Sequence, residues 1–162
     1  WEGRASAREL RASSKQDVHS CNADMLRRVE LVDQCTNEVV PCEKAATETI
    51  KARILENLAK LAVEVDRNRL EQEMIFYLEK LDITEEKVRL DNHCRYFREV
   101  AGSEEDAGRK LGFIAQEMGR EINTMGSKAN EANVQRIVVQ MKDELEKIKE
   151  QALNLMLPLL TN

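Results

Sequence analysis

Aromatic residues are scarce in this sequence, 4% of 162 positions, and only two prolines and six glycines are present. A β-sandwich, barrel or propeller depends on those residue types for strand faces and turns, so their shortage excludes all three. No apolar run is long enough to cross a membrane: the longest, Ala152 to Leu160, is interrupted by Asn154 and Pro158 and falls far short of the ~20 residues a span needs. The start, Trp1-Glu2-Gly3-Arg4, has no initiator Met, apolar leader or cleavage signature. A secretory route is therefore not expected, and the chain reads as beginning partway through something longer. Cysteines at 21, 35, 42 and 94 include no closely spaced pair, which argues against zinc and for small apolar residues, reduced in a cytoplasm. Excess positive charge is also lacking: 25 basic against 30 acidic residues give −5. Any site for a polyanion must then be a local patch.

What is present is helical periodicity. Val18, Cys21, Met25, Val29, Val32, Thr36 and Val39 recur at spacings of three and four, predicting a helix over about 17–40 that Pro41 ends or kinks. Ile50, Ile54, Leu58, Leu61 and Val65 mark a second over 42–65, so residues 1–65 read as a helical hairpin or kinked rod. Leu70, Met74, Leu78 and Leu81 continue the pattern. Asp82-Ile83-Thr84-Glu85 then supplies an acidic start for a helix that turns Leu90, Cys94, Phe97 and Ala101 inward and stops at Gly102. A further helix over about 105–125 carries Leu111, Ile114 or Ala115, Met118, Ile122 and Met125. Its Gly112, Gly119 and Gly126 fall seven apart, predicting close approach of a neighbouring helix or a ligand. From 131 to 157, Val134, Val138, Met141, Leu145, Ile148, Ala152 and Leu155 form a coiled-coil-like seam. Pro158 is expected to close it, leaving 158–162 as a tail. The fold class is all-α: long antiparallel helices in a hairpin or bundle.

No phosphate-binding glycine loop, dinucleotide fingerprint, HExxH, GxSxG or RNP-type aromatic motif occurs. Polar density marks two helices instead. Glu86, Arg89, His93 and Tyr96 are placed opposite the apolar stripe of one; Arg109, Gln116, Arg120, Asn123 and Ser127 line the flank of the next, beside Glu117 and Glu121. Glu117 and Glu121, one turn apart, read either as a solvated face or, with His93, as ligands of Mn or Mg. In the second case Arg109, Arg120 and Lys128 would meet phosphate charge, and a metal would activate water for phosphodiester cleavage. Interhelical ion pairs explain the same residues.

The strings Asp66-Arg67-Asn68-Arg69-Leu70-Glu71-Gln72-Glu73, Leu81-Asp82-Ile83-Thr84-Glu85-Glu86, Gly108-Arg109-Lys110-Leu111, Gln116-Glu117-Met118, Arg120-Glu121-Ile122-Asn123-Thr124 and Ser127-Lys128-Ala129-Asn130 closely resemble the C-terminal domain of the YicC/YloC-like endoribonuclease family. The resemblance covers about 66–155, so 66–157 is expected to be that domain and 1–65 a lead-in from a domain not present. It implies a bacterial, cytoplasmic, hexamer-forming ribonuclease that depends on a divalent metal and is linked to RNA turnover. Residue matching then carries Arg89, Arg109, Gln116, Arg120, Asn123, Ser127 and Lys128 as RNA contacts, with His93, Glu117 and Glu121 as catalytic and metal-binding candidates. Gly112 and Gly119 stand where the commoner family form has Asp and Asn, so no role passes to those positions. The rival reading is a helical oligomerisation or adaptor module that binds RNA-decay enzymes and cleaves nothing itself.

Overall fold

A computed structural model describes residues 7–61, 64, 66–103, 106–129 and 131–160, with the side chains of 7, 10–14 and 157–160 set aside. Five helices follow in order: α1 (Ala7–Lys60), α2 (Arg67–Leu81), α3 (Thr84–Ser103), α4 (Gly108–Lys128) and α5 (Ala132–Leu160). The all-α reading is correct. Val65 and the end of the tail, 161–162, lie outside the described residues.

The α5 seam organises the core. Val134, Val138, Met141, Leu145, Ile148 and Ala152 are all buried, and α5 packs along both α1 and α4. On α1 the covered stripe is Met25, Val29, Val32, Cys35, Thr36 and Val39. Thr36 sits in this apolar line because its hydroxyl donates to the Val32 carbonyl at 2.8 Å and also reaches the Met141 sulfur of α5 at 3.8 Å. At the edge of the contact Arg28 donates to Asp24 at 3.0 Å and to Glu144 at 2.9 Å, joining α1 to α5. Helix α3 closes the other side of α4 through Leu90, Cys94, Phe97 and Val100. Burial, then the nearby Asp33 carboxylate, pushes the Cys94 thiol up; it is a packing group and not a nucleophile.

At Pro41 the rod alternative holds and the hairpin does not, since helix α1 runs through it without a break. Pro41 is exposed, and losing one intrahelical bond there, at ~3 kcal/mol, is offset by a rod whose preceding turns are packed on α5. Helix α5 likewise passes Pro158 and ends at Leu160. The reach of the apolar pattern is also shorter than its periodicity. Ile50, Ile54 and Leu58 are only half-buried, Leu61 is 65% exposed, and α2 buries none of its residues.

The glycine line divides. A Cβ on Gly119 would meet Leu145 Cδ2 at 2.9 Å, and one on Gly126 would meet Val138 Cγ1 at 3.1 Å, so both serve the approach of α5. Gly112 faces nothing within 4 Å. Gly108 takes the place expected of it: a Cβ there would lie 3.0 Å from both the Ala152 carbonyl oxygen and Leu155 Cβ. Gly112→Ala should therefore stabilise the protein by about 0.5–1 kcal/mol, the helix preference of alanine over glycine. Gly108→Ala should destabilise it, because backbone and a Cβ cannot swing aside. Urea denaturation of the two variants, with midpoints moving in opposite directions, checks both.

Candidate functional site

Helix α4 presents three sides, and each follows from its spacing. Gly108, Ala115, Gly119, Ile122 and Gly126 belong to the side that α5 approaches. A second flank meets α3. The third is outer: Arg109, Phe113, Gln116, Arg120, Asn123 and Ser127 recur at steps of four, three, four, three and four, and every one of them is exposed. Such steps return to one face of a 3.6-residue helix. This outer line has two guanidiniums, an amide, an asparagine and a serine, and no carboxylate on it. In a chain of net charge −5, it is the local patch that a polyanion would require.

The α3 flank is built of ion pairs. Arg89 Nε donates to both oxygens of Glu121 at 3.1 Å, while its other nitrogens reach Glu85 at 3.2 Å and Glu86 at 3.5 Å. Lys128 Nζ lies 2.7 Å from Glu86 Oε1 and 3.0 Å from the Asp82 carbonyl oxygen. Glu86 and Glu121 are both buried, and Oε2 of Glu86 has no hydrogen-bond partner among the described residues. The placement of Glu86 opposite the apolar stripe is thus corrected. It lies on the stripe itself, at steps of four, four and three from Leu90, Cys94 and Phe97, and is held there by Lys128 and Arg89.

At the other end of the flank Lys110 Nζ stands 5.5 Å from the Tyr96 ring centre. His93 is one turn from both Arg89 and Tyr96 on α3, and Glu117 is one turn from Glu121 on α4. The antiparallel register therefore sets His93 and Glu117 between the two end contacts. Glu117 pairs with Arg120 at 3.4 Å in a half-exposed setting.

The structure thus separates the sequence candidates. Arg109, Gln116, Arg120, Asn123 and Ser127 share the outer face. Arg89, Lys128 and Glu121 are engaged in interhelical pairs, with Glu86, expected on the opposite face, as a further buried member. Its position on the apolar stripe was the available signal. His93, Glu117 and Glu121 do not form a ligand set: among the described residues no three His, Cys, Asp or Glu side chains are grouped to hold a metal ion, and both Glu121 oxygens already accept from Arg89. The described residues on their own do not assemble a site for Mn or Mg.

A family model described as endoribonuclease YicC-like, C-terminal, matches residues 39–156. It begins within α1, ahead of the stretch from 66 that carries the resemblance. A probable endoribonuclease YicC of Clostridioides difficile (strain 630) is 33% identical over 150 residues, 91% of this chain and 51% of the relative. Another, from Haemophilus influenzae (strain ATCC 51907 / DSM 11121 / KW20 / Rd), is 31% identical over 129 residues, 80% of this chain and 45% of the relative. The chain spans about half the length of the curated relatives it matches.

Proposed function

Because the chain belongs to the YicC-like endoribonuclease family, we propose that it is the RNA-facing helical half of an enzyme that hydrolyses RNA phosphodiester bonds. The observation that supports this reading best is the outer face of α4, where Arg109, Gln116, Arg120, Asn123 and Ser127 stand exposed in one carboxylate-free line. Guanidiniums bind phosphate oxygens in pairs of parallel hydrogen bonds, and amide and hydroxyl groups take sugar and base edges. His93 and Glu117 are assigned proton transfer to and from the reacting oxygens. Glu121 is a positioning residue that holds Arg89 across the α3–α4 seam.

Cleavage of a labelled single-stranded RNA tests the proposal. Glu117→Gln and His93→Ala should each lower the rate on the order of 10²-fold or more, with the helical signal unchanged. Glu121→Gln should lower it less and be partly rescued by Glu121→Asp. Arg109→Gln should weaken RNA binding and reduce the slope of log K against log salt by about 0.7, one phosphate on a single strand. Cleavage unaltered by all of these variants would overturn the assignment of the active centre to α3 and α4. The Mn or Mg requirement that the resemblance implies, for which the described residues alone make no ligand set, is read separately from EDTA and add-back arms.

A second reading draws on α2. Ile75 and Phe76 are 56% and 61% exposed, with Leu55 on α1 at 47%, an apolar surface of the kind that marks association. A homo-oligomer, a bacterial cytoplasmic setting and contact with RNA-decay enzymes are proposed on this basis and on the resemblance. A folded, RNA-silent chain that still self-associates by light scattering would favour the scaffold over the nuclease.

A further inference from the structure

Resting on the ribonuclease reading, we infer that Phe113 and Tyr96 form a stacking platform for unpaired RNA bases, with Arg109 and Lys110 as its cations. Phe113 is 58% exposed and Tyr96 43% exposed, in a chain with only three Phe and two Tyr. Each ring has a cation close by: the Arg109 guanidinium carbon lies 5.9 Å from the Phe113 ring centre, and Lys110 Nζ 5.5 Å from that of Tyr96. Arg109 and Lys110 are consecutive on α4, so the two ring–cation pairs are neighbours, one on the outer face and one on the α3 flank.

Three observations select a nucleic acid over a solvated surface. Phe113 sits in the middle of the run from Arg109 to Arg120, so a base stacked on it would carry its own phosphates toward a guanidinium on either side. At Gly112, the residue before Phe113, an added Cβ would meet nothing within 4 Å, which leaves the helix backbone bare beside the ring. Exposed aromatics interleaved with cations are how sequence-tolerant single-strand binders combine stacking with phosphate attraction. The substrate class is accordingly RNA with unpaired bases. A duplex keeps its base faces stacked internally and offers only its backbone.

The test is fluorescence anisotropy of a short labelled single-stranded RNA with the full chain and four variants. Phe113→Ala and Phe113→Leu should each weaken binding on the order of tenfold, Tyr96→Ala somewhat less, and Phe113→Trp should stay within about threefold of the parent. The duplex form of the same RNA should bind indifferently to all four. Leucine separates the alternatives, since an apolar protein contact tolerates it and a base stack does not. Single-strand binding that keeps its salt dependence but ignores all changes at Phe113 overturns the platform and leaves the ribonuclease reading standing. A parent chain that binds no RNA overturns both. Self-association weakened by Phe113→Ala and kept by Phe113→Leu, with RNA affinity unchanged, overturns the platform in favour of a protein contact.

Discussion

Phe97→Ala should cost about 3–5 kcal/mol of folding stability, enough to consume much of what a single domain has. Phe97 is among the largest fully buried side chains, at 0% exposure, and stands in the α3 stripe with Leu90, Cys94 and Val100. Helix α3 reaches the core through that stripe, against α4 and, more lightly, α1. Removing the ring deletes its transfer free energy and leaves a cavity that rigid neighbouring helices fill only in part. Thermal and urea unfolding should both show the loss, with a midpoint shifted far more than in any surface variant. Phe113→Ala is the internal control. It is the same substitution, yet at 58% exposure it should change stability by no more than about 0.5 kcal/mol. A Phe97→Ala protein of near-parental midpoint would mean that α3 is not part of the cooperative core.

The difference between these two phenylalanines shows what was legible in the sequence. Periodicity located Phe97 inward, and it located the whole α5 seam, because each buried position on α5 lies on a repeat of three and four that both neighbours share. It also gave Leu70, Met74, Leu78 and Leu81 as an apolar line, and these are the half-buried positions of α2, none of them fully covered. An amphipathic pattern states which face is apolar and does not state whether anything covers it. Pro41 left hairpin and rod both open for a related reason. Its local cost is set by one hydrogen bond, whereas the continuity of α1 is set by packing along many turns. Among the candidate site residues, the outer line of α4 was readable because exposure follows from being opposite the core. The assignments of Arg89, Lys128 and Glu121 were not readable: whether a cation meets a ligand or a carboxylate depends on the register between α3 and α4, which no single helix encodes. That Glu121 faces Arg89 depends on the same register.

Lys128→Ala should destabilise the protein by about 2–4 kcal/mol, and should do so through Glu86. The Glu86 side chain is 3% exposed, so its carboxyl group has lost nearly all contact with water. Lys128 is its nearest cation, at 2.7 Å, and also donates to the Asp82 carbonyl at 3.0 Å, pinning the end of α4 to the turn between α2 and α3. Without the ammonium, Glu86 keeps only Arg89 at 3.5 Å, and Oε2 remains without a partner. Breaking one side of a buried pair typically costs about 3–5 kcal/mol because the surviving charge stays desolvated. The lower range applies here because Arg89 stays and Lys128 is 28% exposed. Glu86→Gln in the Lys128→Ala background should recover about half of the loss, since a neutral amide is far cheaper to bury than a carboxylate. The double-mutant cycle, measured by urea unfolding, isolates the pair. If Lys128 instead served mainly as a phosphate contact, its removal would leave the unfolding midpoint in place and lower the salt slope of RNA binding by about 0.7. The expected result is the reverse, a shifted midpoint with the slope retained, because an ammonium held between a buried carboxylate and a backbone carbonyl has little left to offer a phosphate.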